Sequence, residues 1–162
     1  MRAAIVTVSS SVAAGKREDR SGGLLAELAR TAGLEVAARE VVSDERAAIE
    51  EVLRRYCAPE AEVAVVFTTG GTGLTADDVT PEATNAVIGR EVPGIAEAMR
   101  AESRRHTPMG VLARGVAGVA GKTLVVNFPG SPKAIEQLFW IVAPVLEHAA
   151  SLLAREHGSA GH

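Results

Sequence analysis

Short apolar runs alternate along this chain with stretches whose apolar residues recur at helical spacing, and this alternation constrains the fold more than any other feature. Residues 3–8, 35–42, 63–67 and 123–128 read as strands. Residues 22–32, 44–57, 80–88 and 94–105 read as helices, and a final helix opens at Ser131-Pro132. A strand that leads into a helix and then another strand needs a crossover, and successive crossovers build a parallel sheet with helices on both faces. Residues 109–120, with Gly110, Gly115 and Gly118, predict a small irregular ribbon. Gly33 predicts a stop for the helix before it. Thr80-Pro81 and Ser131-Pro132 each predict a helix start, with a hydroxyl N-cap and proline at the first position. At 162 residues one domain is expected, over 1–155, with 156–162 as a flexible tail.

In such sheets ligands sit beyond the carboxyl ends of the strands. Three loops leave those ends here, at residues 9–20, 69–78 and 129–131, and all three carry glycine or small hydroxyl residues. One pocket drawing on all of them is the natural expectation. Residues 68–82, Thr-Thr-Gly-Gly-Thr-Gly-Leu-Thr-Ala-Asp-Asp-Val-Thr-Pro-Glu, are the most specialised stretch. A strand stops, glycines let the backbone lie close to something, two carboxylates appear, and a helix begins. That order suits a phosphate site with backbone N–H groups as donors. The other reading is a turn with no ligand. Residues 71–76 formally match the dinucleotide fingerprint, but Asp77, Asp78 and Pro81 interrupt the helix it needs. The loop also lacks the Lys-Ser/Thr of a nucleotide-triphosphatase P-loop.

Asp44 reads by spacing alone as a helix N-cap. Its functional reading pairs it with Asp78 at adjacent strand ends, where two carboxylates beside a polyphosphate make sense with Mg²⁺ between them. Pro129-Gly-Ser-Pro-Lys133 is a rigid turn into a helix; as a site it offers helix N–H groups, the Ser131 hydroxyl and the Lys133 cation. Arg100, Arg104, Arg105 and Arg114 supply positive charge nearby in sequence. The four histidines have no metal-ligand spacing, and Cys57 has no visible catalytic partner.

A net charge of −3 gives no electrostatic reason for nucleic-acid binding. One cysteine excludes an internal disulfide framework and suits a reducing compartment. The apolar run at 3–8 is too short for a signal peptide, and residues 134–154 contain Glu136, Pro144, Glu147 and His148, as a core-packing helix does. The expectation is a soluble cytoplasmic protein with no membrane partner.

Thr69-Gly-Gly-Thr-Gly73, Asp78-Val-Thr-Pro-Glu82, Pro93-Gly94, Glu97-Ala-Met-Arg100 and Asn127-Phe-Pro-Gly-Ser-Pro132 stand in an order that resembles the MogA/MoaB family of molybdenum cofactor biosynthesis. The resemblance runs from Thr7 to about Leu153. It implies a three-layer α/β/α sandwich, often trimeric or hexameric, that binds molybdopterin. The family's enzymes adenylylate molybdopterin with Mg²⁺ and ATP and release pyrophosphate. Other members bind the pterin as carriers without adenylylating it. A nucleotide-cleaving or molybdate-inserting relative is a third class. By position the resemblance makes Asp44 and Asp78 the functional, metal-holding aspartates. Thr69, Gly70, Gly71, Thr72 and Gly73 become the nucleotide and phosphate loop. Glu97, Ser103, Pro129, Gly130, Ser131 and Lys133 fall around the ligand pocket. A homo-oligomer and a separate molybdate-insertion protein are the implied partners. Ser10 and Asp77 depart from the family pattern, which often has aspartate and arginine there, and Ala113 stands where serine is common.

Overall fold

The structure, a computed structural model, describes residues 1–155. Along the chain run β1 (Arg2–Val8), α1 (Ser10–Ala13), α2 (Arg20–Thr31), β2 (Glu35–Val42), α3 (Arg46–Cys57), β3 (Val65–Thr69) and α4 (Thr80–Val87). Then follow β4 (Arg90–Glu91), α5 (Pro93–His106), β5 (Ala117–Ala120), β6 (Thr123–Phe128) and α6 (Pro132–Arg155). The strands form one six-stranded sheet in the order β2-β1-β3-β6-β5-β4. Its first four strands are parallel, while β5 runs antiparallel to β6 and to β4.

Side chains alternate across a strand, so each central strand feeds two cores. Ala3, Ile5, Val65, Phe67, Val126 and Phe128 face α2, α5 and α6, whose Leu25, Met99 and Phe139 close that layer. Ala4, Val6, Val66 and Val125 face the other way, against Ile49 and Leu53 of α3 and Ala83 of α4. These two cores make the three layers. Both faces of β1, β3 and β6 are buried, which is why those strands read as apolar runs rather than alternating ones. Phe67, Phe128 and Phe139 meet with ring centroids 5.6 to 6.2 Å apart, anchoring α6 to the sheet. α6 is long and apolar enough to cross a membrane by length and composition. Its Ile135, Leu138, Phe139, Val142 and Leu146 nonetheless fill the core, as expected of a packing helix. Trp140, Val145 and Leu152 on its outer side stay exposed, as do Met109, Val111 and Leu112 on the 3₁₀ turn Pro108–Leu112.

Helix 2 ends as its Gly33 predicts. Gly33 adopts a φ of 88°, and the N–H groups of Gly33 and Leu34 return to the carbonyls of Arg30 and Ala29. Other boundaries differ from the sequence reading, for physical reasons. β3 extends to Thr69 because its threonine hydroxyls find partners inside: Thr68 accepts from Asn127 at 2.9 Å, and Thr69 donates to the Pro129 carbonyl at 2.8 Å. The expected loop at 9–20 contains α1, capped by the Ser9 hydroxyl, and the true start of α2, capped by Asp19. Thr80 is not an N-cap. Val79 precedes the helix, and the Thr80 hydroxyl turns back to donate to the Gly70 carbonyl at 2.9 Å. The ribbon at 109–120 divides into the 3₁₀ turn and β5. The two-residue edge strand β4 carried no sequence signal. The tail expected at 156–162 lies outside the described residues.

Candidate functional site

The loop after β3 is defined by where its carbonyls go. The Gly70 carbonyl accepts from the Thr80 hydroxyl, and the Gly71 carbonyl from the Thr80 N–H at 3.1 Å. The Thr72 carbonyl accepts from the Arg114 N–H at 2.9 Å, and the Gly73 carbonyl from Arg114 Nε at 2.8 Å. Four consecutive carbonyls are thus held by two residues. In a trans peptide the next N–H points opposite to the carbonyl. The N–H groups of Gly71, Thr72, Gly73 and Leu74 therefore face away from Thr80 and Arg114, and among the described residues they meet no acceptor. Successive unpaired N–H groups of this kind form an anion-binding surface. Glycine is required here sterically. Gly70 and Gly71 have φ of 97° and 68°, and a Cβ on either would run into the Val8 carbonyl or the Thr80 hydroxyl respectively.

Two carboxylates flank this surface. Asp78 Oδ2 accepts from the Thr75 N–H at 3.0 Å and the Thr75 hydroxyl at 2.8 Å, closing the far end of the loop. Asp44 Oδ2 accepts from the Ser10 N–H at 3.0 Å, while the Asp44 N–H returns a bond to the Ser10 hydroxyl at 3.0 Å. Asp44 is therefore not a helix cap; Glu45 occupies that position, with no side-chain bond. Each aspartate has one oxygen fixed by its loop, and its Oδ1 has no hydrogen-bond partner among the described residues. The two do not sit at adjacent strand ends, as the sequence reading has it, because β1 lies between β2 and β3. Two strand spacings are roughly 10 Å. No group of three or more acidic, histidine or cysteine side chains forms a complete metal cage among the described residues. Two half-engaged carboxylates suit Mg²⁺, which takes one or two protein oxygens and completes its shell with phosphate and water.

Two cavities border the loop. A larger one, of about 530 Å³, lies over the ends of β1 and β3 and is lined by Thr7, Ser9, Arg17, Asp19, Ser21, Thr69, Gly70 and Gly130, among others. A smaller one, of about 180 Å³, is lined by Thr72, Arg100, Ser103, Asn127 and Pro129, among others. Of the predicted residues, Thr69, Gly70 and Gly130 reach the first, and Thr72, Ser103 and Pro129 the second. Ser131 accepts from the Ala134 N–H at 3.4 Å as the cap of α6. Lys133 and Glu97 are exposed, Asp44 and Asp78 are half-buried, and none of the four lines either cavity. The 129–131 turn lies against the glycine loop: a Cβ added to Gly130 would sit 3.5 Å from the Gly70 Cα, and the Gly70 N–H donates to the Phe128 carbonyl at 3.2 Å.

Several site residues escaped the sequence reading. The Asp19 carboxylate accepts from the Thr7 hydroxyl at 3.0 Å and the Gly22 N–H at 2.9 Å, and pairs with Arg39 at 3.2 Å. An aspartate three residues before Gly22 was an available cap signal. Ser21 donates to the Gly130 carbonyl, joining α2 to the 129–131 turn. Arg114, expected as loose positive charge, is engaged through all three guanidinium nitrogens: beyond Gly73 it bonds Glu82 Oε1 at 2.5 Å and the Asp78 carbonyl at 2.7 Å. That guanidinium holds the Glu82 carboxyl below its ordinary range, with a smaller contribution from the charge of Arg46 at the start of α3. Arg100 likewise serves the backbone, donating to the Gly115 carbonyl at 2.8 Å.

A sheet edge that gathers a glycine anion loop, two separated aspartates and a Pro-Gly-Ser-Pro turn has a counterpart among known domains. The family described as "probable molybdopterin binding domain" matches residues 4–148. The chain belongs to that family. It superposes on the crystal structure of the molybdopterin biosynthesis enzyme MoaB from Thermus thermophilus with a TM-score of 0.88 and 46% identity, covering 96% of this chain and 97% of that one. It is 40% identical over 148 residues to the molybdenum cofactor biosynthesis protein B of Escherichia coli, covering 90% of this chain and 85% of that protein. It is also 40% identical over 114 residues to the molybdopterin adenylyltransferase of Helicobacter pylori, covering 70% of this chain and 64% of that protein. The chain spans less than two thirds of the length of several curated relatives it matches, from 16% to 64%.

Proposed function

We propose that this protein acts in molybdenum cofactor biosynthesis as a molybdopterin adenylyltransferase. The observation that carries the reading is the row of four unpaired N–H groups on residues 71–74, flanked by two aspartates that each keep one oxygen unengaged. In the proposed reaction the terminal phosphate oxygen of molybdopterin attacks the α-phosphorus of ATP. A phosphorus–oxygen bond forms, the bond to the β-phosphate bridge breaks, and pyrophosphate leaves. The attacking phosphate is already ionised at neutral pH, so no strong base is required of the protein.

The work of the chain is then to position and to neutralise. The N–H groups of residues 71–74 would hold phosphate oxygens. Asp44 and Asp78, two strands apart, would each offer its unengaged oxygen to Mg²⁺, directly or through the ion's waters, and so offset the negative charge on the polyphosphate. The cavity reached by Ser103 and Pro129 would take the pterin end, with Ser131 and Lys133 at its approach. A homo-oligomer, as a trimer or a hexamer, fits the exposed apolar residues Met109, Val111, Trp140 and Val145.

A second reading is a MoaB-like carrier that binds molybdopterin and leaves ATP intact. It is supported by Ser10 and by Asp77, an anion directly beside the phosphate loop. Pyrophosphate release from Mg²⁺-ATP, with and without molybdopterin, separates the two. Release that depends on molybdopterin and disappears in Asp78→Ala is the expected result. Tight pterin binding with no release would overturn adenylylation and leave the carrier.

A further inference from the structure

Every hydrogen bond that Arg114 donates, three of them from its guanidinium, goes to one object, the segment from Thr72 to Glu82. Its N–H donates to the Thr72 carbonyl, Nε to the Gly73 carbonyl, Nη2 to the Asp78 carbonyl and Nη1 to Glu82. The Gly73 and Asp78 carbonyls are the two mouths of the loop that carries Leu74, Thr75 and Asp77. One planar guanidinium therefore fixes both ends of that loop to the first turn of α4. Thr80 completes the arrangement from the other side, with its N–H on the Gly71 carbonyl and its hydroxyl on Gly70. All three guanidinium bonds thus serve the loop, one from each nitrogen.

We infer that Arg114 is a positioning residue: it shapes the anion-binding loop by holding its carbonyls inward, with Thr80 as its partner, and acts on the nucleotide through the loop rather than by contact. The inference concerns nucleotide affinity and so rests on the proposed function, but the loop geometry it describes does not. Charge alone is insufficient for this role. A lysine ammonium is a compact point charge and cannot reproduce the three-way planar fork. Holding the carbonyls inward is also what leaves the N–H groups of residues 71–74 unpaired on the opposite side of the loop before any ligand arrives, so the benefit appears as affinity for the polyphosphate.

The test uses the full-length protein with Arg114→Lys and, separately, Thr80→Val, which removes a hydroxyl at nearly constant shape. Amide hydrogen exchange over residues 70–79, read at the hydrogen-bonded N–H groups of Gly70, Thr75 and Asp78, is followed with and without Mg²⁺-ATP, alongside ATP affinity and the pyrophosphate-release kinetics. In Arg114→Lys, exchange in that segment is expected to rise about tenfold while the β1 and β6 segments keep their wild-type protection. The KM for ATP is expected to rise about tenfold, the loss of one or two charge-assisted bonds, with the KM for molybdopterin within about twofold of wild type. Wild-type loop exchange and wild-type ATP affinity in Arg114→Lys would overturn the inference, because charge would then suffice. Should Arg114→Lys fail to fold, Thr80→Val decides: faster exchange confined to residues 70–79 supports the pair, and unchanged exchange refutes it. A wild-type protein that binds ATP and releases no pyrophosphate even with molybdopterin present would end the adenylyltransferase reading. Loop exchange and ATP affinity would then judge Arg114 on their own.

Discussion

Replacing Gly71 by alanine tests the steric logic of the loop directly. Gly71 has a φ of 68°, and the direction its Cβ would take ends on the Thr80 hydroxyl. Placing an L-residue in the left-handed region costs about 1–2 kcal/mol. The added methyl also displaces the Thr80 hydroxyl from the Gly70 carbonyl, a loss of about 0.5–1.5 kcal/mol. Together these predict a destabilisation of about 1.5–3.5 kcal/mol. For a domain of this length each kcal/mol lowers Tm by about 2–4 °C, so a fall of about 3–14 °C is expected. Gly130→Ala is the internal control. Its Cβ would lie 3.5 Å from the Gly70 Cα, an ordinary contact, and its φ is not left-handed. That variant should melt within about 1 °C of wild type on the same scale. Thermal unfolding by circular dichroism, with all proteins at one concentration because an oligomer's Tm depends on it, makes the comparison. A Gly71→Ala protein that melts with wild type, or a Gly130→Ala protein that falls as far, would refute the reasoning.

Other perturbations address separate parts of the structure. Phe67→Ala removes the ring that contacts both Phe128 and Phe139 in a fully buried site and should cost about 3–5 kcal/mol by urea unfolding at unchanged m-value; a loss below about 1 kcal/mol would mean the core collapses around the gap. Burial pushes the Cys57 thiol up to about 12, so at pH 8 only roughly one in ten thousand is thiolate and reaction with a disulfide reagent should be far slower than in guanidinium. Equal rates in the two states would contradict that burial. Arg114 holds the Glu82 carboxyl below its ordinary 4.5, so the pair's contribution to stability is present above that pH and is lost as pH falls through the lower folded value. Glu82→Gln should remove this acid-side component from a plot of urea midpoint against pH, and an unchanged slope below pH 4.5 would show that the ion pair does not couple to folding.

Much of this architecture was legible in the chain. Strands buried on both faces must be apolar throughout, and helices covering a sheet must repeat their apolar residues every three to four positions, so β1, β2, β6, α3, α5 and α6 appear in the sequence close to their observed bounds. The glycines at 70 and 71 and the aspartate at 78 also announce themselves, because a left-handed backbone and a loop carboxylate each need particular residue types. What tertiary structure decided is which distant groups these residues meet. Asp44 faces Ser10 rather than capping its own helix, since the end of β1 lies beside the end of β2 and offers a reciprocal pair of bonds that a cap would forgo. β1 separates the two aspartates, a fact of strand order that no local spacing encodes. Thr80 carries a cap signature yet serves Gly70, and Arg114, more than thirty residues from Glu82 and Asp78, completes the loop through contacts made only when β5 packs beside β6. Local propensity is written in neighbouring residues; the pairing of a carbonyl with a guanidinium across the fold is fixed by where the strands lie in the finished sheet.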